Sequence, residues 1–302
     1  MLLTMRLAAA LALLAPASPA FTGSAQTAQP KPELLLFHPS GPPLSYEVAT
    51  VKPVDSNTTN PMVMLPPGTT LNPFSIRRYI MDAYGATYRA QIIGGPDWID
   101  KDAYDIKGKI PDDLEAAFHK LSSDARRDQT RAMQQSLLTD RFQLKAHFET
   151  RVLPVYQLVP AKGGLKITEV PAPPERKPGD TPSMPSPGNP PSPGTMMTRM
   201  NSNGIFVYNA RAIQTQLLAR MISFSGATEV GDRPIVDHTG FTGYFDIKDL
   251  TWAPLVHVDA TSTPDAPSLS EALQDKLGIK LVSAKDPIEV LVIDSIDRPS
   301  PN

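Results

Sequence analysis

The chain has 302 residues, 41% of them hydrophobic, which is enough for one large domain or two smaller ones with an ordinary buried core. It contains no cysteine, which excludes disulfides, thiolate nucleophiles and cysteine-ligated zinc. The formal net charge is −2 and no dense basic run occurs, so the charge pattern argues against a nucleic-acid partner.

Residues 1–25 have the order of a secretory signal peptide. Arg6 precedes a short apolar run, and small residues and prolines follow, with small-x-small cleavage sequences at residues 15–17, 18–20 and 23–25. The run is far shorter than the ~20 residues that cross a bilayer, and no later stretch is long enough. We therefore expect a cleaved leader and a periplasmic or extracellular protein with no transmembrane segment.

Two further stretches are predicted to lack regular structure. Residues 26–45 form a disordered N-terminal segment, apart from the apolar sequence LLLF. Between Pro171 and Gly194 there are ten prolines in 24 residues, and proline can join neither a helix interior nor a central strand. A proline-rich linker over residues 171–200 would divide the chain into two α+β units, at residues 46–170 and 201–302.

Each unit begins with a similar helix signal. In "TTLNPFSIRRYIMDAYG", Asn72 is a predicted N-cap and Gly85 a stop. In "IFVYNARAIQTQLLARMIS", Asn209 is the predicted N-cap. Ile213 then follows Asn209 at the distance at which Ile76 follows Asn72, so these two isoleucines are predicted to be equivalent.

The motif YDIK (Tyr104 to Lys107) recurs as FDIK (Phe245 to Lys248), and each copy precedes a second helix and a strand of period two. An alignment without gaps sets "SLLTDRFQLKAHFETRVLPVYQLVP" against the C-terminal segment that ends "EVLVIDS". Residues 284–287 are predicted to be a hairpin turn. The sequence thus predicts an α+β fold of two strand-helix-strand-helix-hairpin units produced by internal duplication, with two unrelated domains as the alternative.

Residues around Trp98 are the first candidate site. Asp97, Asp100 and Asp102 flank this tryptophan in a predicted loop, where carboxylates could bind calcium or act on a sugar. Ordinary turn residues, and a tryptophan that closes the edge of a core, are the competing interpretation.

Asp237 and His238 are the second candidate, as a general base and the group that orients it, although their neighbours are common turn formers. No serine-nucleophile or phosphate-binding motif occurs, and the histidines lack metal-ligand spacing. We therefore predict no catalytic residue, metal or cofactor. Several arginines, among them Arg77, Arg78 and Arg131, lie on predicted helices and are expected to face solvent.

The segments "YEVATVKP", "RRYIMDAYG", "IIGGPDWID" and "IVDHTGFTGYFDI" resemble an uncharacterised "soil-associated" protein family of bacteria. The resemblance implies an export signal and no established activity. Similar regions in that family are joined to membrane-bound zinc metallopeptidases of the β-lactam-sensor type, which implies sensing or binding outside the cytoplasm.

These observations predict a non-enzymatic binding or interaction module of the cell envelope, with an unknown ligand or envelope protein as its partner. A groove between the two similar halves is the expected ligand site. The alternatives are a secreted hydrolase that uses the carboxylates named above, and a sensor ectodomain that acts with a membrane metallopeptidase.

Overall fold

The structure is a computed structural model that describes residues 33–41, 45–54, 74–174, 190–225, 227–253 and 266–299. The predicted signal peptide, the predicted cap Asn72 and residues 175–189 of the predicted linker lie outside these ranges.

The first half contains, in chain order, β1 (Val48–Val54), β2 (Phe74–Ser75), α1 (Ile76–Tyr84), a 3-10 turn (Arg89–Gln91), β3 (Ile92–Gly94), α2 (Trp98–Lys101), β4 (Ala103–Lys109), α3 (Asp112–His119), α4 (Ser123–Phe142) and β5 (Lys145–Pro160). The first half ends with β6 (Glu169–Val170). The second half contains β7 (Thr195–Met200), β8 (Phe206–Ile213), α5 (Thr215–Ser225), α6 (Ala227–Val230), β9 (Ile235–Asp237), β10 (Tyr244–Trp252), α7 (Leu269–Leu277) and β11 (Ile279–Ser295). The predicted α+β class is confirmed.

Local sequence signals account for several helix ends. α1 ends at Gly85, as predicted, because this glycine adopts the left-handed conformation with φ 67°. α7 begins at Ser268, whose hydroxyl accepts from the Glu271 amide while the Glu271 carboxylate accepts from the Ser268 amide. It ends at Gly278, where φ is 65° and an added Cβ would meet the Gly164 carbonyl oxygen at 2.1 Å.

The predicted N-cap at Asn209 is wrong. Asn209 lies inside β8, where its side chain exchanges hydrogen bonds of 3.0 and 3.1 Å with Asp249 across the strand pair. The aromatic and β-branched residues of "IFVY" favour a strand, and that preference outweighs a cap signal inside it. The helix begins six residues later, at Thr215.

Three sheets organise the described residues. The first has the order β1-β4-β2 and the second the order β6-β10-β8-β7, so the YDIK and FDIK motifs lie on strands with neighbours on both sides. The third sheet, β3-β11-β5-β9, takes strands from both halves. This third sheet therefore joins the halves.

The centre of the third sheet corrects the predicted hairpins. β5 and β11 are continuous strands that pair with each other, antiparallel, from Ile279 opposite Pro160 to Ser295 opposite Lys145. Residues 284–287 are part of β11 and make no turn. Pro287 is tolerated because its carbonyl accepts a hydrogen bond from Glu33 at the outer side of the strand, so its missing N–H group faces away from β5.

The short strands β3 and β9 are exchanged between the halves. Ile92 of β3 pairs with Leu291 of β11 in parallel, and Ile235 of β9 pairs with Tyr156 of β5 in the same way. The gapless sequence alignment sets Tyr156 against Leu291. The two parallel pairings are thus related by the same correspondence as the sequences.

Helices α1 and α5 also correspond between the halves, but the residues that match differ from the predicted ones. Phe74 pairs with Tyr104, the first residue of YDIK, and Ile213 pairs with Phe245, the first residue of FDIK. Ile213 therefore corresponds to Phe74, and its predicted equivalence with Ile76 is wrong by two residues. With this shift four of the five buried positions of α1 have buried counterparts on α5: Ile76, Tyr79, Ile80 and Ala83 match Thr215, Leu218, Ala219 and Ile222. The fifth, Arg77, matches the exposed Gln216.

The buried clusters also cross between the halves, within one compact unit of residues 32–302. The buried hydrophobic cluster formed mainly by the second half also includes Tyr88 and Leu158 of the first half. The cluster of the first half includes Leu291 and Ile293 from β11. A third cluster combines Val155 with three residues of β9 and β11. Each half therefore contributes side chains to the core of the other.

Parts of the two stretches predicted to lack structure are ordered. Glu33 bridges to Ile288 of β11. Leu36, which belongs to the LLLF sequence excepted from the predicted disorder, is buried in the core of the first half. Within the predicted linker, β7 pairs along its whole length with β8. Both segments gain backbone hydrogen bonds from an adjacent strand, which the proline content of their surroundings does not reveal.

Candidate functional site

Trp98 begins the single helical turn α2, not a loop as predicted. Its ring is half-buried against the core of the first half, and the guanidinium of Arg298 lies 5.0 Å from the ring centroid. This is the position of a side chain that closes the edge of a core. Trp98 does not line any of the cavities described below.

The three aspartates near Trp98 face different partners. Asp97 is exposed and pairs with Lys101 at 3.0 Å, and Asp102 pairs with Arg298 at 2.9 Å. Asp100 instead accepts from Arg77 and Arg89, each at 2.7 Å. Because each carboxylate has its own cation, they do not converge on one ligand position.

Arg77 is buried, although a solvent-facing side chain was predicted from its place in a helix. Only 8% of it is exposed. Besides Asp100, its guanidinium donates to the carbonyl of Ile92 at 3.0 Å and to that of Gly94 at 3.1 Å. Arg77 therefore ties α1 to the strand β3 and to α2.

The same ion pairs act on the carboxyl group of Asp100. Partial burial raises its pKa, but hydrogen bonds and positive charge from Arg77 and Arg89 outweigh the burial and hold the pKa below the ordinary value of 3.8. Asp100 is thus an ionised structural group.

Asp237 and His238, predicted as a pair, turn to opposite faces of the strand end. The Asp237 carboxylate accepts from the hydroxyl of Thr215 and, at 3.0 and 2.7 Å, from the amide and hydroxyl of Thr239. It fastens the start of α5 to the turn after β9. All of these donors come from Thr215 and Thr239, so the Asp237 carboxylate is engaged away from the His238 ring.

His238 has a different carboxylate partner that the sequence did not indicate. Its Nε2 lies 3.1 Å from Asp286, which is 7% exposed and also accepts from Gln157 at 2.9 Å. Asp286 stands in the segment predicted to be a turn, so its burial could be found only after the register of β11 was known.

A cleft of about 400 Å³ lies between the two halves. It is bounded by α1 and by the loop after it on one side, by α5 on the other, and by Arg131 of α4. The loop residue Tyr88 forms part of its wall, and the Tyr88 hydroxyl donates to the carbonyl of Ile235 at 3.2 Å. The cleft thus lies where the first half reaches into the second.

Arginines dominate the charge of this cleft. Its lining contains four arginines and two aspartates: Arg78, Arg89, Arg131, Arg220, Asp82 and Asp232. Burial raises the pKa of Asp82, while the charges of Arg78 and Arg131 oppose that rise. Burial lowers the pKa of Arg131, and the neighbouring charges of Arg127 and Arg220 lower it further. The positive charges are therefore close enough to affect one another.

A smaller recess of about 110 Å³ adjoins the cleft and shares Gly85, Thr87, Tyr88 and Arg220 with it. Its remaining wall is largely apolar and includes Leu34, Ala219 and Ile235. Asp237 also lines this recess, and it is the one predicted site residue that the structure places there. The predicted groove between the halves named no lining residues, because those residues come from distant helices and from the loops after α1 and α6, whose sequences are ordinary.

The described residues contain no group of three or more histidine, aspartate or glutamate side chains placed to hold a metal ion. Nor, within that part of the chain, is any helix both long enough and apolar enough for a membrane span.

Comparison with known proteins identifies a family. Neither the search of curated proteins nor the search of solved structures found a match. A family model described as "Protein of unknown function (DUF3738)" matches residues 77–296, from α1 to the end of β11, which is well over half of the chain. The fold described above, with its inter-half cleft, is therefore that of a member of the DUF3738 family.

Proposed function

We propose that this protein is an exported, non-enzymatic binding module of the cell envelope, and that its ligand occupies the cleft between the halves. The observation that carries this proposal is the place of the cleft. Its walls are α1 and α5, which have matching patterns of buried residues, and its volume of about 400 Å³ is within the ~300–1,000 Å³ typical of ligand pockets. The leader-like residues 1–25 support export.

We also propose that the two halves arose by internal duplication. Three correspondences support this: the YDIK and FDIK motifs on β4 and β10, the reciprocal pairing of β3 and β9, and the buried positions of α1 and α5. A cleft between two copies of one unit can keep a rigid wall on each side while its lining residues diverge.

The hydrolase alternative draws little support from its candidate residues. Asp97, Asp100 and Asp102 are each held by separate cations, and Asp237 is bonded to two threonines. A general acid and base must both reach one substrate bond. The sensor alternative rests on the family resemblance alone, and co-purification with a membrane partner would test it.

Filling the cleft should weaken ligand binding. The mature chain, residues 26–302, is screened by thermal shift against envelope glycans, peptides and small metabolites. A ligand at 100 times its Kd stabilises the folded state by about 2.7 kcal/mol and raises Tm. Ser223 lies in the cleft wall on α5. Ser223→Trp places an indole in the cleft and should weaken binding of that ligand at least tenfold.

Gln274→Trp is the matched control, because Gln274 is exposed on α7, outside the cleft. This variant should bind as the unmodified protein does. If a ligand binds Ser223→Trp with unchanged affinity, the cleft is not its site. If no ligand class shifts Tm, the binding-module proposal itself is contradicted.

A further inference from the structure

The charges in the cleft are unequally paired. Arg78 is 3.2 Å from Asp82, and Arg89 is 2.7 Å from Asp100, so both have a close carboxylate. Arg131 has only a longer contact of 3.6 Å with Asp128. Arg220 is exposed and makes no ion pair with any other residue that the structure describes. Arg131 and Arg220 are thus the two cleft cations with the weakest pairing. Two carboxylates also line the cleft: Asp82, which pairs with Arg78 and whose charge acts on Arg131, and Asp232.

These two cations come from different halves and line the same cleft. Arg131 lies on α4 and Arg220 on α5, and the charge of Arg220 lowers the pKa of Arg131. Two like charges near each other in a half-buried cleft repel, and the repulsion ends when an anion lies between them. The planar guanidinium fits the oxygens of a carboxylate or a phosphate with two parallel hydrogen bonds.

Arg131 is held in a fixed place. Its guanidinium packs against Gly85, where an added Cβ would lie 3.0 Å from the guanidinium carbon, and it lies 5.6 Å from the centroid of the Phe37 ring. A cation that is already positioned loses little side-chain entropy when it binds an anion. Arg131 is therefore a better anchor than a free surface arginine.

The apolar recess begins beside Arg220. Since Arg220 lines both cavities, a ligand with its charged group at this side chain has its next atoms at the mouth of the recess. Leu34, Ala219 and Ile235 in the recess wall present apolar surface there. This arrangement suits a molecule with one charged end and one short apolar end.

We propose that the cleft binds a small amphipathic anion, whose carboxylate or phosphate lies between Arg131 and Arg220 and whose apolar part enters the recess. This inference rests on the proposed function, because it names the ligand class for the same cleft.

Butyrate, butyl phosphate, neutral butyramide and inorganic phosphate are the probes, and calorimetric titration of the mature chain is the measurement. Butyrate or butyl phosphate should bind at least tenfold more tightly than butyramide, because only the anions make charge-assisted hydrogen bonds. Comparing the two anions separates a carboxylate ligand from a phosphate ligand. Inorganic phosphate should bind more weakly than butyl phosphate, because it leaves the recess unfilled.

Arg131→Gln and Arg220→Gln should each weaken binding of the better anion at least tenfold. Arg199→Gln is the matched control, since Arg199 is exposed on β7 and lies outside both cavities, and it should leave the affinity unchanged. Thermal unfolding of each variant checks that it is folded. Higher salt should weaken anion binding in the unmodified protein, because exposed charges are screened.

Equal affinity for butyrate and butyramide, or an Arg220→Gln variant that binds like the Arg199→Gln control, would overturn the anion proposal. A different result would contradict the proposed binding function. If neither anion binds but a ligand from the screen is lost in Ser223→Trp, the cleft is a binding site for another chemical class, and only the inference made here is wrong.

Discussion

Neither half of the chain should fold alone. A fragment that ends at residue 174 and a fragment that begins at residue 190 should each give the circular dichroism and amide spectra of an unfolded chain when they are expressed separately. Mixed in equal amounts, they should recover a cooperative thermal transition. This is the largest effect that the architecture predicts, because it concerns the whole fold.

The reason lies in the third sheet and in the shared clusters. β3 pairs with β11 and β9 pairs with β5, so each short strand has its partner in the other half. β5 and β11 pair along nearly their whole length. A separated half would expose two unpaired edges and a face of buried aliphatic side chains. Burial of apolar surface contributes about 25 cal/mol per Å², so losing this face removes part of the stabilisation that opposes chain entropy, in addition to the lost strand pairing.

A single cut in the proline-rich stretch is the control. The described strand pairs do not involve residues 175–189, so a protease site inserted there should leave the cut protein folded, with both pieces migrating together in gel filtration. If either fragment alone shows a cooperative transition and dispersed amide signals, the halves are independent domains and the exchanged pairing is not essential to stability.

Sequence patterns were sufficient where one local signal decides the structure. The stop at Gly85, the helix before Gly278 and the alternating strand after Phe142 follow from left-handed glycines and from period-two burial, which a short window of sequence contains. The recurrence of YDIK and FDIK also pointed to β4 and β10 correctly.

The predicted hairpin failed for a reason that local sequence does not contain. Ala284, Lys285, Asp286 and Pro287 are good turn residues, but β5 supplies a partner strand for all of them. Pairing with a strand from the other half satisfies more backbone groups than a turn can. The same distant pairing buries Asp286 beside His238, which is why the sequence suggested Asp237 as the partner of His238 and the structure shows another.

A groove between the halves was predicted, but the residues that line it were not, for a related reason. Charged residues on a helix are mostly solvated, so Arg77, Arg131 and Arg220 carry no individual signal. What distinguishes them is the packing of α1, α4 and α5 around the loop that contains Tyr88, which brings one arginine into the core and two into the cleft. Only the packing of the two halves shows which arginine is buried and which arginines line the cleft.

Replacing Arg77 by methionine should destabilise the protein by about 2–4 kcal/mol at neutral pH, the second largest effect expected. Methionine keeps an unbranched apolar stem and removes the guanidinium with its charge. The loss arises because the carbonyls of Ile92 and Gly94 lose their donor and Asp100 keeps only the exposed Arg89. Arg78→Met is the matched control: Arg78 is exposed, and its ion pair with the partly buried Asp82 is worth about 0.5–1 kcal/mol. Urea denaturation of both variants measures the difference.

The effect of Arg77→Met should depend on pH in one direction. In the folded protein the pKa of Asp100 lies below 3.8, so its ion pairs stabilise the fold fully above that value and lose this contribution as the pH falls through the folded pKa. In Arg77→Met the pKa of Asp100 is lowered less. The gap in unfolding free energy between the unmodified protein and this variant should therefore narrow between pH 7 and pH 3.

The difference in unfolding free energy should not fall to zero at low pH. The hydrogen bonds from Arg77 to the two carbonyls of β3 involve no titrating group, so their contribution remains. A gap that remains constant from pH 7 to pH 3 would show that Asp100 contributes nothing through Arg77. A loss no larger than that of Arg78→Met would show that the link from α1 to β3 is dispensable. Asp100→Asn separates the two contributions, since it removes the titrating charge and leaves both carbonyl contacts of Arg77 in place.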